Sequence, residues 1–167
     1  QEGLTFDQAL EAVRAGTVFT THTPVPAGID RFPRELVAQA FYGDHQLPGV
    51  PVDQILALGA ETYPGGDPDV FNMAVMGFRL AQRANGVSKL HGEVSREMFA
   101  GLWPDFDSAD VPITSITNGV HAPTWVSPLA AEVVRSTVGP DLLETGEGWS
   151  QLAEIGAAEL WAVKRGM

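Results

Sequence analysis

The sequence contains no cysteine and only two lysines, Lys89 and Lys164. Without cysteine it can form neither a disulfide framework nor a thiolate metal site, which fits a cytoplasmic protein. Ten basic residues stand against 21 acidic ones, and the net charge of −11 argues against nucleic acid or an anionic membrane as a partner. No apolar run approaches the roughly 20 residues that a membrane-spanning helix needs. These scarcities indicate a globular protein with few cationic groups for binding anions.

The length and the apolar content of the sequence are typical of a globular protein. Its 167 residues, 44% of them apolar, make about one domain and suffice to bury a core. The chain starts at Gln1 without an initiator methionine and stops at Met167 inside a helical pattern that has no capping residue. Such ends are typical of an internal piece of a longer protein, and we expect a fragment.

Local signals predict strands that alternate with helices. Thr5 with Gln8 forms a capping box for a first helix, and Ser127, followed by proline, begins a later one. The ranges 17–21 (TVFTT) and 111–116 (VPITSI) are rich in β-branched residues and predict two short buried strands. Two strands cannot bury both faces of a doubly wound sheet. We therefore expect an α/β chain that is mostly helical and has no complete Rossmann sheet of its own.

The central stretch, residues 72–99, is predicted as two helices with a tight corner between them. Asn85-Gly86 would end the first helix in a left-handed turn. The second helix would bury Leu90, Val94 and Met98, which are four residues apart. A backbone corner of this kind can approach a ligand closely, although ordinary packing is the favoured interpretation on physical grounds alone.

The exits of the two predicted strands are the best chemical candidates. His22 follows the first strand and Asn118 the second, and α/β proteins keep ligand sites in such loops. Imidazole and amide groups suit hydrogen bonding to sugar hydroxyls. Core packing of His22 and simple turn formation at Asn118 remain open alternatives. A metal site of His22, His91 and His121 is disfavoured because no two of them share helical i, i+4 spacing.

Three ordered stretches resemble one family, the α-glucan phosphorylases. They are FTTHTPVPAG at 19–28, NMAVMGFRLAQRANGVSKLHGEVSR at 72–96 and ITNGVHAPTW at 116–125. The resemblance covers essentially the whole chain and is greatest to the short bacterial branch of the glycogen, starch and maltodextrin phosphorylases. It implies a two-domain GT-B glycosyltransferase that splits α-1,4-glucan or maltodextrin with phosphate to give glucose 1-phosphate. The phosphate of pyridoxal 5′-phosphate would serve as a proton-transfer group.

The resemblance also assigns roles to individual residues. His22 resembles the histidine that hydrogen-bonds the glucosyl unit at the cleaved bond, which makes it both catalytic and substrate-binding. Asn118 resembles the asparagine that holds the 6-hydroxyl of the same sugar, and Val87 the apolar residue beside that sugar. The chain departs from the pattern after Asn118, where classical members carry basic residues before the tryptophan. The role of His121 in that segment is open, with hinge packing as the default.

Other parts that the resemblance implies are missing from the sequence. Neither Lys89 nor Lys164 lies in the Gly-rich motif of the family's cofactor lysine, so we expect the cofactor to bind outside this chain. The family's main phosphate-binding basic cluster is also absent. Residues 1–119 would be the end of the N-terminal GT-B domain, and 120–167 the crossover and first helices of the C-terminal one. We expect such a piece to be inactive alone. The resemblance is compatible with a homo-oligomeric whole enzyme.

Two other function classes predict different features. A non-catalytic carbohydrate-binding module would carry a row of exposed aromatic residues, whereas the four tryptophans, Trp103, Trp125, Trp149 and Trp161, are scattered along the chain. A GT-B glucan synthase that uses a nucleotide sugar would carry a glycine-rich nucleotide loop, and the sequence has none.

Overall fold

The computed structural model describes residues 3–23, 25–43, 46–145 and 147–166. The chain divides into two compact units, Gln1–Asn118 and Gly119–Met167. The predicted α/β class is confirmed, and helices account for far more of the described residues than strands do. Within the described part of the chain, every helix is too short or too polar to cross a membrane.

The first unit alternates helices with short strands. Its helices are α1 (Phe6–Ala15), α2 (Arg34–Gln39), α3 (Val52–Gly59), α4 (Met73–Leu80) and α5 (Lys89–Met98). Its strands are β1 (Val18–Thr21), β2 (Arg31–Pro33), β3 (Val70–Asn72), β4 (Arg83–Gly86) and β5 (Ile113–Ser115). The second unit is helical, with α6 (Ala122–Trp125), α7 (Pro128–Thr137), α8 (Leu142–Thr145) and α9 (Ala157–Gly166).

Three strands of the first unit form a parallel sheet in the order β1-β4-β5. Gly86, the last residue of β4, pairs with Thr21 on one side and with Ser115 on the other. The three strands therefore end at the same level, and the loops that follow them start from one edge of the sheet. The two remaining strands, β2 and β3, pair antiparallel in a separate two-stranded sheet.

Both predicted strands are confirmed, as β1 and β5, but their number is wrong, because the described residues form five strands. The largest error falls on β4, which was predicted as the corner between two helices. Gly86 does not have a positive φ, so Asn85-Gly86 makes no left-handed turn. Instead Arg83–Gly86 is the central strand, since β1 and β5 pair with it from both sides. Long-range pairing here overrides the local turn signal.

The core of the first unit is built round Phe78 of α4. The ring of Phe19 from β1 meets it edge-on with centroids 4.8 Å apart, and Phe99 and Trp103 lie at 4.6 and 5.8 Å. Aromatic rings at these separations and angles attract one another beyond simple area burial. This cluster holds α4 against the sheet and so fixes the strand that α4 leads into.

Both predicted caps are confirmed. The Thr5 hydroxyl accepts from the Gln8 backbone N–H and the Gln8 side chain accepts from the Thr5 N–H, which completes the capping box of α1. Ser127 accepts from the Ala130 N–H at the start of α7. These caps depend on neighbours within three residues, so the sequence predicts them well.

The predicted apolar face of α5 is confirmed at Met98, which packs against the core, and is wrong at Leu90. Leu90 is 70% exposed, whereas His91, Gly92 and Ser95 are buried. A β-carbon on Gly92 would lie 3.0 Å from the Ser115 side chain, and one on Gly86 would lie 2.8 Å from the Gly92 nitrogen. The helix thus uses its smallest residues to lie directly on β4 and β5, which a count of apolar residues cannot show.

Candidate functional site

The carboxyl edge of the parallel sheet brings the three predicted site residues to one place in the fold. His22 is the first residue after β1, Val87 the first after β4, and Asn118 follows β5 by three residues. The carbonyl of Val87 accepts from the backbone N–H of Asn118 at 3.1 Å. Two of the three loops are therefore bonded directly to each other at this edge.

The side chains at this edge are open to ligands. His22 and Asn118 are exposed, and Val87 is half-buried. Exposure of His22 goes against the alternative of a packed core histidine. The edge thus offers an imidazole and an amide, which both donate and accept hydrogen bonds, beside one apolar side chain. Such a mixed set of groups matches the hydroxyls and apolar ring faces of a sugar.

A buried polar pair lies one residue behind the edge. The Thr20 hydroxyl donates to the Asn85 side-chain oxygen at 3.0 Å, joining β1 to β4. The Asn85 amide group in turn donates to the Gly86 carbonyl at 3.2 Å. Only 5% of Asn85 is exposed. Asn85 is therefore a structural residue of the central strand. Sequence reasoning missed this role because Asn-Gly is also a common turn dipeptide.

The loop that carries His22 is fixed at its far end. The Asp30 carbonyl accepts from the Met73 N–H at 3.0 Å, and Arg31 then begins β2. Arg31 binds the Glu61 carboxylate through two hydrogen bonds, Nε to Oε1 at 2.8 Å and a terminal nitrogen to Oε2 at 2.7 Å. A fork of this kind fixes direction as well as distance.

Glu61 receives two further hydrogen bonds, from the Asn72 side chain at 2.8 Å and from the Asp67 N–H at 3.0 Å. Burial raises the pKa of this carboxyl, but the donors from Arg31, Asn72 and Asp67 together outweigh burial and leave the pKa below its ordinary value. Glu61 is thus held charged and fully bonded. The residues next to Glu61 in the sequence do not indicate a partner 30 residues away, and sequence reasoning did not single it out.

The other two histidine candidates, His121 and His91, differ in exposure. His121 belongs to the second unit and is exposed, with its Nδ1 2.6 Å from the Thr124 hydroxyl oxygen. His91 is buried in α5. Among the residues that the structure describes, no group of three histidine, aspartate or glutamate side chains is placed to hold a metal ion.

Comparison with known proteins gives matches along almost the entire chain. A glycogen phosphorylase of Mycobacterium tuberculosis is 55% identical over 169 aligned positions, covering 97% of this chain and 19% of that protein. A maltodextrin phosphorylase of Thermococcus litoralis is 40% identical over 96% of the chain and 19% of its own length. A glycogen phosphorylase of Aquifex aeolicus is 35% identical, with 96% and 23% covered. No family model matches the sequence.

The chain spans about one fifth of the length of these relatives. The aligned segment includes all three motifs on which the resemblance was based, and it includes the carboxyl edge with His22, Val87 and Asn118. Since 55% identity extends over nearly every element described above, the resemblance is confirmed: over almost its whole length, this chain is similar to a segment of the glycogen and maltodextrin phosphorylases.

Proposed function

We propose that this chain is the sugar-holding part of an α-glucan phosphorylase, an enzyme that transfers a glucosyl unit from α-1,4-glucan to phosphate and releases glucose 1-phosphate. The observation that carries the proposal is the meeting of His22, Val87 and Asn118 at one sheet edge, in a chain that matches phosphorylases over 97% of its length. The fold of the whole enzyme would be of the GT-B type. The two units, Gln1–Asn118 and Gly119–Met167, would then belong to its two domains.

The chemistry at this edge would be electrostatic. Displacement at an anomeric carbon passes through an oxocarbenium-like state, in which charge develops on the sugar ring. A hydrogen bond from a donor such as the His22 imidazole gains strength as that charge redistributes. Asn118 would fix the sugar through its 6-hydroxyl, and Val87 would cover an apolar part of the ring.

The proton-transfer half of the reaction lies with other residues of the whole enzyme. Pyridoxal 5′-phosphate would supply a phosphate group for that transfer, but this chain's lysines do not fit it. Lys89 is exposed at the first turn of α5, and Lys164 is exposed with its Nζ 5.2 Å from the Trp161 ring centre. Neither offers the enclosed pocket that a Schiff-base lysine needs. The cofactor lysine and the phosphate-binding basic groups would therefore lie outside this chain.

The test uses the whole enzyme with His22→Ala. We expect kcat/KM for glucose 1-phosphate to fall by about 10²-fold or more with an unchanged melting temperature, the effect of removing one transition-state donor. His121→Ala is the matched control, since this exposed ring already bonds Thr124, and its kcat/KM should stay within about threefold. A His22 variant that is less stable but turns over normally when folded would show that His22 has a structural role only.

Asn118→Asp tests the sugar contact separately. The substitution preserves size and turn preference but removes the amide donor. We expect weaker use of glucose 1-phosphate and a much smaller penalty with a 6-deoxy sugar donor. Equal penalties for the two donors would show that Asn118 only forms the turn after β5.

A further inference from the structure

His91 is a buried residue one turn behind the candidate site. It lies in the first turn of α5, its side chain faces away from solvent, and 6% of the residue is exposed. Its Nδ1 accepts the backbone N–H of Val87 at 3.3 Å. Because Nδ1 accepts, it carries no proton, so the neutral ring holds its hydrogen on Nε2.

The Val87 peptide connects this imidazole to Asn118. On one side its N–H donates to His91, and on the other its carbonyl accepts the Asn118 N–H at 3.1 Å. The Ser88 hydroxyl accepts from the His91 backbone N–H at 3.1 Å, so the same histidine also closes the cap of α5. The chain of contacts thus leads from the imidazole through one peptide unit to a predicted sugar contact.

The surroundings of His91 leave little freedom. Gly86 and Gly92 let α5 lie directly on β4, so the turn between them cannot shift without moving the helix. Nε2 of His91 and the hydroxyl of Ser95, one helical turn further on, are buried without a hydrogen-bond partner among the described residues. Keeping Nε2 of His91 unsatisfied in the interior has a cost that an apolar residue at position 91 would avoid. An apolar residue could not accept the Val87 N–H.

We infer that His91 is a positioning residue for the carboxyl edge, holding the Val87 turn and, through it, Asn118 in the place where the sugar binds. The inference rests on the proposed function for its kinetic consequence only. The hydrogen-bond chain itself belongs to the fold.

The experiment compares two substitutions in the whole enzyme. Asparagine places its Oδ1 where the histidine has Nδ1, so His91→Asn keeps the acceptor. His91→Leu keeps the bulk and removes it. We expect His91→Leu to lower kcat/KM for glucose 1-phosphate about tenfold, as small displacements of positioning groups do. His91→Asn should stay within about threefold of the wild type.

Two further readouts separate positioning from plain stability. Hydrogen exchange of the Val87 amide, measured by mass spectrometry with fragmentation, should be about tenfold faster in His91→Leu and near normal in His91→Asn. In an Asn118→Ala background, His91→Leu should cost less than about threefold in kcat/KM, because the group that it positions is gone. Equal losses in the Leu and Asn variants, or full additivity with Asn118→Ala, would overturn the inference.

Failure of the proposed function looks different. If Asn118→Ala alone leaves kcat/KM unchanged, the sugar contact is wrong, and exchange at Val87 still decides whether His91 holds the turn. If exchange is unchanged in His91→Leu while Asn118→Ala is impaired, the sugar contact holds and the role of His91 is refuted.

Discussion

Replacing Glu61 by glutamine should destabilise the first unit more than any surface change of equal size. Glutamine keeps one acceptor oxygen, which can still accept from Arg31 Nε and the Asn72 side chain. Its NH₂ group replaces the other oxygen and cannot accept from the Arg31 terminal nitrogen or the Asp67 N–H. An orphaned backbone N–H costs about 1–3 kcal/mol, and a lost charged hydrogen bond about 1.5–3 kcal/mol. The Arg31 side chain is 44% exposed, so water can replace the lost hydrogen bond and reduce its free-energy cost. We expect a net loss of about 2–4 kcal/mol in the free energy of unfolding.

The assay is urea denaturation at pH 7, with Asp53→Asn as the control. Asp53 also faces an arginine, Arg34 at 3.6 Å, but its side chain is 91% exposed. Exposed pairs of this kind contribute about 0–1 kcal/mol, so the control should shift the free energy of unfolding by no more than about 0.5 kcal/mol. The contrast isolates burial and full hydrogen bonding as the source of the stabilisation.

Acid should remove the difference between wild type and Glu61→Gln. The pKa of Glu61 is lowered in the folded protein, so its stabilising effect is complete above the ordinary glutamate pKa of about 4.3 and is lost as the pH falls through the lower folded pKa. The gap should therefore be widest near neutrality and shrink below about pH 4. A loss under about 1 kcal/mol at pH 7, or a gap that is unchanged at pH 3, would refute the reasoning.

Three further predictions test other parts of the fold. Gly86→Ala should lower the free energy of unfolding in urea by about 1–3 kcal/mol, because the new β-carbon would lie 2.8 Å from the backbone of α5. Gly16→Ala, whose β-carbon would have 3.9 Å of room, should be nearly neutral, and equal effects of the two changes would contradict the close approach. Ser127→Ala should cost about 1 kcal/mol through loss of the α7 cap, and restoration by aspartate would identify capping as the cause. Incubation of the chain with pyridoxal phosphate and borohydride should leave Lys89 and Lys164 without a stoichiometric adduct, and one stable adduct would contradict this.

The sequence predicted those features of the fold whose interacting residues are close together along the chain. The caps at Thr5 and Ser127 involve neighbours three residues away, and both are confirmed. The strand Arg83–Gly86 ends in asparagine and glycine, which locally favour turns, and it exists because two distant strands flank it. The same limit applies to Glu61, whose partner Arg31 reaches it only after folding.

The candidate site shows the same division. His22 and Asn118 could be predicted from their places after predicted strands, and the structure puts them at the same edge. Because β4 was not predicted, sequence reasoning offered no structural reason for Val87 to lie at the same edge. His91 was missed because the helical phase was taken from leucine, valine and methionine, while close approach to the sheet selected the face with Gly92.

The hydrogen bond between Thr20 and Asn85 also sets the register of the sheet. A slip of one residue turns the side chains of β1 to the opposite face, so the packing of Phe19 against Phe78 already favours the native alignment. A slip of one residue between β1 and β4 would separate the hydroxyl from the amide and leave the amide buried without its partner. At a cost of about 1–3 kcal/mol, the slipped alignment would be populated about 5- to 160-fold less than the native one. A polar pair in the middle of the sheet thus selects which residues stand at its carboxyl edge, and a slipped β1 would carry Thr21 or Thr23 to the position of His22.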